Sequence, residues 1–393
     1  MSQDNVVIVS GVRTPMGGFM GSLAPVSAPE LGAIAIAEAV KRAGLQPADI
    51  QEVIMGNVLP AGLKQGPARQ AMRKAGLPDS TGATTINKLC GSGMKATMFA
   101  HDLIKAGSND IMVAGGMESM SNAPHILLGA RQGYRMGPGQ APQDHMFLDG
   151  LEDAETGRLM GSFAQEMADK KGYTREEMDD YAISSLNRAK KAIEEGLLKE
   201  EIIPVTVKTR KGEVVVEDDE QPHNANIDKI PSLRPAFAKD GTVTAANASS
   251  ISDGASALLL MRESEAEKRG LKPLARIVGH KKAREIWYLC RQYSAQDVLE
   301  MGLVNKVVEP DQLWAEVDRW IVDIKNVSPV ILQTQKMSFN RHDHFQDPAM
   351  TPIQEYMPDY QATEEARERR MAFIERRPID PSKNVPYINV PIG

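Results

Sequence analysis

The stretch that decides the fold is Thr84-Thr-Ile-Asn-Lys-Leu-Cys-Gly-Ser-Gly-Met-Lys-Ala96. Its β-branched residues predict a strand, and apolar residues at helical spacing predict a helix over residues 94–106 that Gly107 ends. Unpaired backbone N–H groups and the helix dipole favour negative charge where this helix begins, so we expect Cys90 to be a thiolate nucleophile. Gly91 and Gly93 are expected to turn the backbone sharply and to leave room for a substrate.

The same stretch has two other interpretations. A single cysteine in a reducing compartment is more often a small buried hydrophobic residue than a nucleophile. Gly91-Ser-Gly-Met-Lys-Ala96 also fits the dinucleotide fingerprint G-x-G-x-x-A, with Asp110 at a suitable distance. That pattern is short, and Asn87 and Lys88 interrupt the apolar strand that a dinucleotide site needs. We therefore favour the nucleophile.

The composition limits the classes of partner. The 393 residues, 42% of them hydrophobic, suffice for one large or two ordinary domains. A net charge of −6 without a long basic run argues against nucleic acid as a partner. No apolar run reaches membrane length and no signal-peptide pattern opens the chain, so no membrane partner is expected. Two cysteines, Cys90 and Cys290, permit at most one disulfide, which favours a cytoplasmic location.

Strand and helix patterns alternate along the first third of the chain. They predict strands over residues 6–9, 52–59 and 111–114 and helices over 27–43 and 68–75. This β-α-β order predicts an α/β fold with helices packed on the faces of a sheet. Later in the chain, residues 242–250 are predicted to be a strand running into a loop of small residues, and 257–261 a buried strand.

The composition changes between residues 122 and 242. Helices are predicted there over 162–171 and 174–195, the second of which Thr174-Arg-Glu-Glu177 opens as a capping box. Insertions of this length between strands usually carry binding function.

Long motifs in a fixed order resemble the thiolase family, which comprises the acetyl-CoA acetyltransferases and 3-ketoacyl-CoA thiolases. They are Val9-Ser-Gly-Val-Arg-Thr-Pro15, Asn87-Lys-Leu-Cys-Gly-Ser-Gly-Met-Lys-Ala96, Val113-Ala-Gly-Gly-Met-Glu-Ser-Met-Ser-Asn-Ala-Pro-His125 and Gly241-Thr-Val-Thr-Ala-Ala-Asn-Ala-Ser-Ser250. The resemblance runs from about residue 6 to about 275. It implies a layered α/β half with an inserted loop domain, over about 122–242, that covers the coenzyme A arm.

The resemblance also implies site residues. Cys90 is the residue that would accept the acyl group, and Leu151 and Met160 match positions that contact coenzyme A in the family. Ala245 and Ser249 belong to the loop of small residues that would leave space for the pantetheine chain. Ser249 is expected to line the pantetheine tunnel. Coenzyme A thioesters are the implied substrates, with no bound cofactor and no metal.

The resemblance breaks after about residue 275. The thiolase motifs Asn-Glu-Ala-Phe, Gly-His-Pro and Cys-x-Gly-Gly-Gly do not occur in this sequence. The pair Gly279-His280 is followed by Lys281 instead of proline, and Cys290 is followed by no glycine. We therefore assign neither the role of the family's activating histidine to His280 nor that of its second catalytic cysteine to Cys290.

The remaining residues, from about 277 to 393, are similar to the C-terminal part of the crotonase superfamily. The similarity rests on Val278-Gly-His-Lys-Lys-Ala-Arg-Glu-Ile-Trp-Tyr-Leu-Cys-Arg-Gln-Tyr-Ser-Ala295 and Met301-Gly-Leu-Val-Asn-Lys-Val-Val308. The nearest branch contains dihydroxynaphthoyl-CoA synthase and 2-ketocyclohexanecarboxyl-CoA hydrolase. A tyrosine that some relatives use falls on Gln361, with Tyr360 one place away. The segment is expected to be mostly helical. His342 and His344 lack the further ligands that a metal site needs.

These observations predict a thiolase-like domain over residues 1–275 and a crotonase-like segment over 276–393. The predicted activity is acyl-CoA C-acyltransfer by thiolase-type Claisen condensation or thiolysis, through an acyl group on Cys90. Impairment is expected because the second thiolase domain is missing. Two alternatives stay open, a crotonase-type acyl-CoA hydrolase or lyase and a non-catalytic acyl-CoA-binding fusion protein. A homo-oligomer is expected.

Overall fold

A computed structural model describes residues 4–137, 139–277, 307–309, 312, 315–316 and 371. The chain divides into two compact units, Met1–Asn305 and Lys306–Gly393, and every element named below lies in the first. The predicted domain boundary at residues 275/276 stays a prediction. Most of the crotonase-like segment, for which helices are predicted, lies outside the described residues, as do His280, Cys290, His342, His344, Tyr360 and Gln361.

The described elements alternate between strand and helix as far as β5. The helices are α1 (Ala28–Arg42), α2 (Pro67–Lys74), α3 (Ser92–Ala106), α4 (Met160–Lys171), α5 (Arg175–Glu194), α6 (Glu220–Asn224) and α7 (Glu263–Lys268). The strands are β1 (Val6–Arg13), β2 (Gly17–Gly18), β3 (Glu52–Gly56), β4 (Gly82–Ile86), β5 (Ile111–Ser119), β6 (His125–Ile126), β7 (Gln143–Asp144), β8 (Val205–Thr209), β9 (Gly212–Val216), β10 (Ser252–Arg262) and β11 (Ala275–Ile277). Among these helices none combines the length and hydropathy needed to cross a bilayer.

The main sheet is mixed. Its strand order is β11-β1-β10-β5-β3-β4, and β2 pairs with one end of β10. β3 runs parallel to both β4 and β5, whereas β10 runs antiparallel to β1 and β5. Helix crossovers therefore build the parallel part, as the β-α-β pattern predicts, and the α/β fold class is confirmed.

Helices cover both faces of the sheet. On one face, α1 and α2 pack against a core that includes Val53 and Met55 of β3. On the other face, α3 packs its Ala96, Ala100 and Ile104 against a second core that includes Ile54. Successive strand residues point to opposite faces, so a strand buried on both sides needs an unbroken apolar run. This is why Val53-Ile-Met55 shows no polar alternation.

Local capping residues set the helix boundaries that the sequence predicts. Ser27 precedes α1 and its backbone N–H bonds the Glu30 carboxylate at 3.1 Å, while Gly44 follows with a left-handed φ of 66°. Thr174 and Glu177 form the same capping box before α5. These boundaries are confirmed to within one or two residues.

Over residues 242–250 the predicted loop of small residues is confirmed, but the strand predicted to lead into it is wrong. Residues 242–250 contain turns without strand, and β10 begins at Ser252. The backbone N–H groups of Thr242 and Val243 donate to Gln165 Oε1 at 2.9 and 3.0 Å, and that of Thr244 donates to Asn247 Oδ1 at 2.7 Å. Because side chains take these three donors, residues 242–244 cannot use them in a strand ladder.

The inserted loop domain lies between β5 and β10 and contains α4, α5, α6 and the β8–β9 hairpin. Arg13 at the end of β1 ties it to the sheet. Its guanidinium bonds both oxygens of buried Asp219, at 2.7 and 3.0 Å, and Glu201 at 2.7 Å. Such bidentate, charge-assisted pairs fix orientation as well as distance.

Candidate active site

Cys90 lies in a tight turn between β4 and α3. The turn is closed by Gly91 N–H donating to Lys88 C=O at 3.1 Å and Ser92 N–H donating to Leu89 C=O at 3.0 Å. The left-handed residue is Leu89, with φ of 49°, while Gly91 has φ of −91°. Gly91 therefore lies in the turn as expected, but the left-handed bend is at Leu89 and not at a glycine. A non-glycine residue in this region costs about 1–2 kcal/mol, and such strain concentrates at functional sites.

Two polar side chains hold the turn. The Ser92 hydroxyl accepts from Lys88 N–H at 2.8 Å and donates to Leu89 C=O at 2.6 Å. Asn87 Oδ1 accepts from Leu89 N–H at 2.9 Å, the geometry of an Asx turn. The sequence analysis assigns neither residue a role in the turn, although Asn and Ser flanking a cysteine at a strand–helix junction are a turn signal.

Glycines bring the start of α3 close to the sheet. A Cβ on Gly56, the last residue of β3, would lie 2.5 Å from Ser92 Cβ and 2.8 Å from Gly93 N. Gly93 itself faces the backbone of Gly115 and Gly116 in β5, at 3.7 Å from a would-be Cβ. Gly93 therefore packs against the sheet and does not leave space for a substrate, which corrects that expectation.

The thiol of Cys90 is free and exposed. Within residues 4–137 and 139–277 no histidine or other side chain forms a hydrogen bond or ion pair with it. The interpretation of Cys90 as a buried hydrophobic residue is therefore wrong. Its position one residue before the Gly91 N-cap puts it at the positive end of the α3 dipole.

A carboxylate at the end of β5 organises the neighbouring backbone. Glu118 accepts hydrogen bonds from Val58 N–H at 2.8 Å, Leu59 N–H at 3.1 Å and Asn57 Nδ2 at 2.7 Å. Burial raises the pKa of the Glu118 carboxyl, and these hydrogen bonds act in the opposite direction. Sequence reasoning missed Glu118, which stands inside the quoted motif Gly-Gly-Met-Glu-Ser-Met.

The predicted coenzyme A residues lie on two neighbouring segments. Leu151 ends a π-helical turn, Phe147–Leu151, and is half-buried, whereas Met160 begins α4 and is 46% exposed. An antiparallel bridge between Glu152 and Leu159 sets Leu151 and Met160 beside each other. Ala245 and Ser249 are exposed in the loop before β10.

Buried side chains of the inserted domain hold the loop of Ala245 and Ser249. Gln165 of α4 accepts from two backbone N–H groups of that loop through Oε1. Asn247 Nδ2 donates to buried Asp179 of α5 at 3.0 Å. The loop and the start of α4 therefore form one unit that contains Met160, Ala245 and Ser249. Sequence reasoning named neither Gln165 nor Asp179, because polar helix residues give no sign of their long-range partners.

An aromatic ring lies against the same unit. A Cβ on Gly161, the residue after Met160, would lie 2.0 Å from Phe237 Cζ. The neighbouring Ala236 N–H donates to Val243 C=O at 2.9 Å. Only glycine allows the Phe237 ring to approach the α4 backbone this closely.

These features define an α/β protein that presents a cysteine at the carboxyl edge of a mixed sheet. Residues 6–264 match the family described as thiolase, N-terminal domain, and residues 245–383 match the family described as enoyl-CoA hydratase/isomerase. The chain belongs to the thiolase family. Both resemblances drawn from the sequence are confirmed.

Individual relatives agree with this assignment. The acetyl-CoA acetyltransferase of Chromobacterium violaceum is 50% identical over 277 residues, which are 70% of each chain. The solved acetyl-CoA acetyltransferase of Syntrophomonas wolfei superposes with a TM-score of 0.68 at 43% identity, covering 71% of this chain and 70% of the other. The Acat5 thiolase of Ascaris suum, solved in complex with coenzyme A, superposes with a TM-score of 0.66 at 40% identity, covering 70% of both chains.

Proposed function

We propose that the chain is an acyl-CoA C-acyltransferase of the thiolase type, with Cys90 as the residue that accepts the acyl group. The observation that carries the proposal is the exposed thiol, to which no described side chain is bonded, at the start of α3 behind the strained Leu89. The Cys90 thiolate attacks the thioester carbonyl carbon, the bond from that carbon to the coenzyme A sulfur breaks, and coenzyme A leaves as a thiolate. Splitting the transfer in this way is covalent catalysis.

The second half of the reaction needs a base. That base removes an α-proton from a second acyl-CoA, the carbanion attacks the acyl group, and the carbon–carbon bond forms as the Cys90 thiolate is released. Thiolysis is the reverse of these steps.

Leu151, Met160, Ala245 and Ser249 are proposed to contact coenzyme A. Their support is that Met160, Ala245 and Ser249 are exposed on one unit that Gln165 holds together, and that Leu151 adjoins Met160. Coenzyme A thioesters are the substrates, and no further cofactor takes part.

We propose that turnover is impaired. The described residues bring no histidine to Cys90, and the sequence after residue 277 carries crotonase-like motifs instead of the thiolase ones. General acid–base catalysis contributes typically 10²–10⁴-fold, so condensation is expected to be slow while acylation of Cys90 survives.

Intact-mass spectrometry after incubation with acetyl-CoA tests the nucleophile. We expect one acetyl adduct on the wild-type chain, none on Cys90→Ser, and an undiminished adduct on the matched variant Cys290→Ser. An adduct that persists in Cys90→Ser, or no adduct on the wild type, would contradict the proposal. Thiolysis of acetoacetyl-CoA at ordinary enzyme rates would show that the chain is not impaired.

A second candidate function rests on the match of residues 245–383 to the enoyl-CoA hydratase/isomerase family. It is a crotonase-type hydrolase or lyase, and it would open the ring of 2-ketocyclohexanecarboxyl-CoA. Turnover of that compound by the Cys90→Ser variant would favour it. Binding of coenzyme A without adduct or turnover would instead favour a non-catalytic acyl-CoA-binding fusion protein.

We propose that the chain is a cytoplasmic homo-oligomer without a nucleic-acid or membrane partner. The outer edge of β4 supports self-association, because β4 ends the sheet and no other described strand pairs with that edge. The net charge of −6 supports the exclusion of nucleic acid.

A further inference from the structure

We propose that Glu118 and His145 are positioning residues that hold the Cys90 turn and the turn of Leu151 against one backbone segment, residues 57–61. We call residues 57–61 the clamp segment. The inference rests on the acyl transfer proposed above, and it assigns the geometry of that site to two side chains that do not react themselves.

Glu118 holds the first half of the clamp segment. β3 ends at Gly56, so Val58 and Leu59 have no strand partner for their N–H groups, and the Glu118 carboxylate supplies the acceptors at 2.8 and 3.1 Å. Asn57 Nδ2 is a third donor at 2.7 Å. All three donors are N–H groups, so the carboxylate form satisfies them and an amide in its place would turn a donor toward a donor.

The clamp segment is bonded in turn to the Cys90 side of the site. Asn57 N–H donates to Ile86 C=O at 3.0 Å, and Asn87 Nδ2 donates to Val58 C=O at 3.4 Å. The other end of the Asn87 side chain accepts from Leu89 N–H. Leu89 is the strained residue immediately before Cys90, so Glu118 reaches the turn through Val58 and Asn87.

His145 holds the second half of the clamp segment and faces the coenzyme A side. Its side chain is 6% exposed, and its Nε2 accepts from Ala61 N–H at 3.4 Å. Nδ1 therefore carries the ring proton and donates to Asp149 Oδ2 at 2.6 Å. Asp149 lies in the π-helical turn that ends at Leu151, and Leu59 Cδ2 lies 3.3 Å from a would-be Cβ on Gly150.

The clamp segment therefore sets the distance between Cys90 and Leu151, a proposed coenzyme A contact. Displacements of about 1 Å at a reacting centre cost on the order of 10²-fold in rate. Loosening the Glu118 contacts is expected to slow acylation of bound acetyl-CoA, and loosening the His145 contacts is expected to weaken its binding.

The test measures the rate of Cys90 acetylation against acetyl-CoA concentration for the full chain and three variants. Glu118→Gln is expected to lower the limiting rate roughly 10- to 100-fold. His145→Phe is expected to raise the half-saturating concentration more than it lowers the limiting rate. Glu52→Gln is the matched control, because Glu52 lies at the opposite end of β3 and accepts from Asn109 Nδ2 at 3.0 Å.

Alkylation by iodoacetamide and hydrogen exchange separate positioning from misfolding. Alkylation of Cys90 should be unchanged in Glu118→Gln, since a small reagent needs no oriented thioester. Amide exchange should rise in peptides spanning 57–61 and 87–90 in Glu118→Gln and stay unchanged there in Glu52→Gln. If Glu118→Gln unfolds, Asn87→Ala, which removes an exposed link between the clamp segment and Leu89, should reproduce the slower acylation.

Equal acylation kinetics in the wild type and Glu118→Gln would overturn the inference while leaving Cys90 as the nucleophile. If wild-type Cys90 accepts no acetyl group, the proposed function fails, and the exchange measurement still decides the structural claim. Unchanged exchange at residues 57–61 and 87–90 in Glu118→Gln would overturn that claim.

Discussion

At the scale of single residues, Asn87 and Ser92 hold the turn that presents Cys90 around the left-handed Leu89. The β-branched run before Cys90 and the apolar spacing after it identify a strand and a helix, and both are confirmed. Gly91 takes part in the turn, but the left-handed conformation expected of a glycine is adopted by Leu89, which Asn87 and Ser92 hold. A pattern cannot show which of several adjacent residues takes the strain, since tertiary hydrogen bonds decide it.

Two glycines that face the start of α3 give a matched test of close packing. A Cβ on Gly56 would lie 2.5 Å from Ser92 Cβ, whereas a Cβ on Gly116 would meet its nearest atom, Gly93 Cα, at 3.5 Å. Gly56→Ala is therefore expected to lower the free energy of unfolding by about 1–3 kcal/mol, and Gly116→Ala to change it by much less. Urea denaturation measures both changes in the free energy of unfolding. Equal losses in the two variants would contradict the close packing of Gly56 against Ser92.

At the scale of elements, local signals predict helices better than loops. Ser27 with Glu30 and Thr174 with Glu177 are capping boxes readable from a few adjacent residues, and the helices begin there. Before β10, β-branched residues predict a strand leading into the loop of small residues, and the structure has the loop without that strand. Its partner Gln165 lies far away in sequence, and no local window contains that information.

Glu220, the first residue of α6, gives a test with a definite sign in pH. Its carboxylate accepts from Gly18 N–H, Ser22 N–H and the Ser22 hydroxyl at 2.8 to 3.2 Å. Burial raises the pKa of Glu220, but these hydrogen bonds outweigh it and hold the pKa below its ordinary value of 4.5. The stability contributed by the ionised group is thus present above pH 4.5 and lost as pH falls through the lowered pKa.

We therefore expect Glu220→Gln to be less stable than the wild type at pH 7, by about 1–3 kcal/mol. The difference should shrink as the pH falls below the ordinary pKa. Thermal unfolding followed across the acid range measures it. Glu217→Gln, a change at an exposed neighbouring carboxylate, is the control. A difference that grows toward acid pH would refute the sign.

At the scale of the whole molecule, the sequence predicts the class of sheet but not its strand order. The β-α-β pattern accounts for β3, β4 and β5, which are parallel neighbours. The pairing of β1 with β10 joins Val6 to Arg262, across the whole described unit. Such a pairing depends on tertiary packing, and no local pattern in the sequence connects these two ends of the unit.

The outer edge of β4 gives a test of assembly. We expect sedimentation to show a homo-oligomer. Thr84→Lys places a charge on an exposed position of β4, and we expect it to shift the distribution of species toward smaller ones. Thr206→Lys places the same charge on an exposed position of the β8–β9 hairpin and should leave the mass unchanged. A wild-type monomer at every concentration would contradict the expectation.

The position of β10 between β1 and β5 also bears on biosynthesis. A ribosome adds about 5–20 residues per second, so β1 waits on the order of ten seconds or more before β10 is made. β11, the neighbour of β1 on its other side, emerges later still. Through that interval the apolar side chains of the nascent β1 have no strand beside them. Until the middle of its sheet arrives, the growing polypeptide therefore exposes apolar surface that is prone to aggregate.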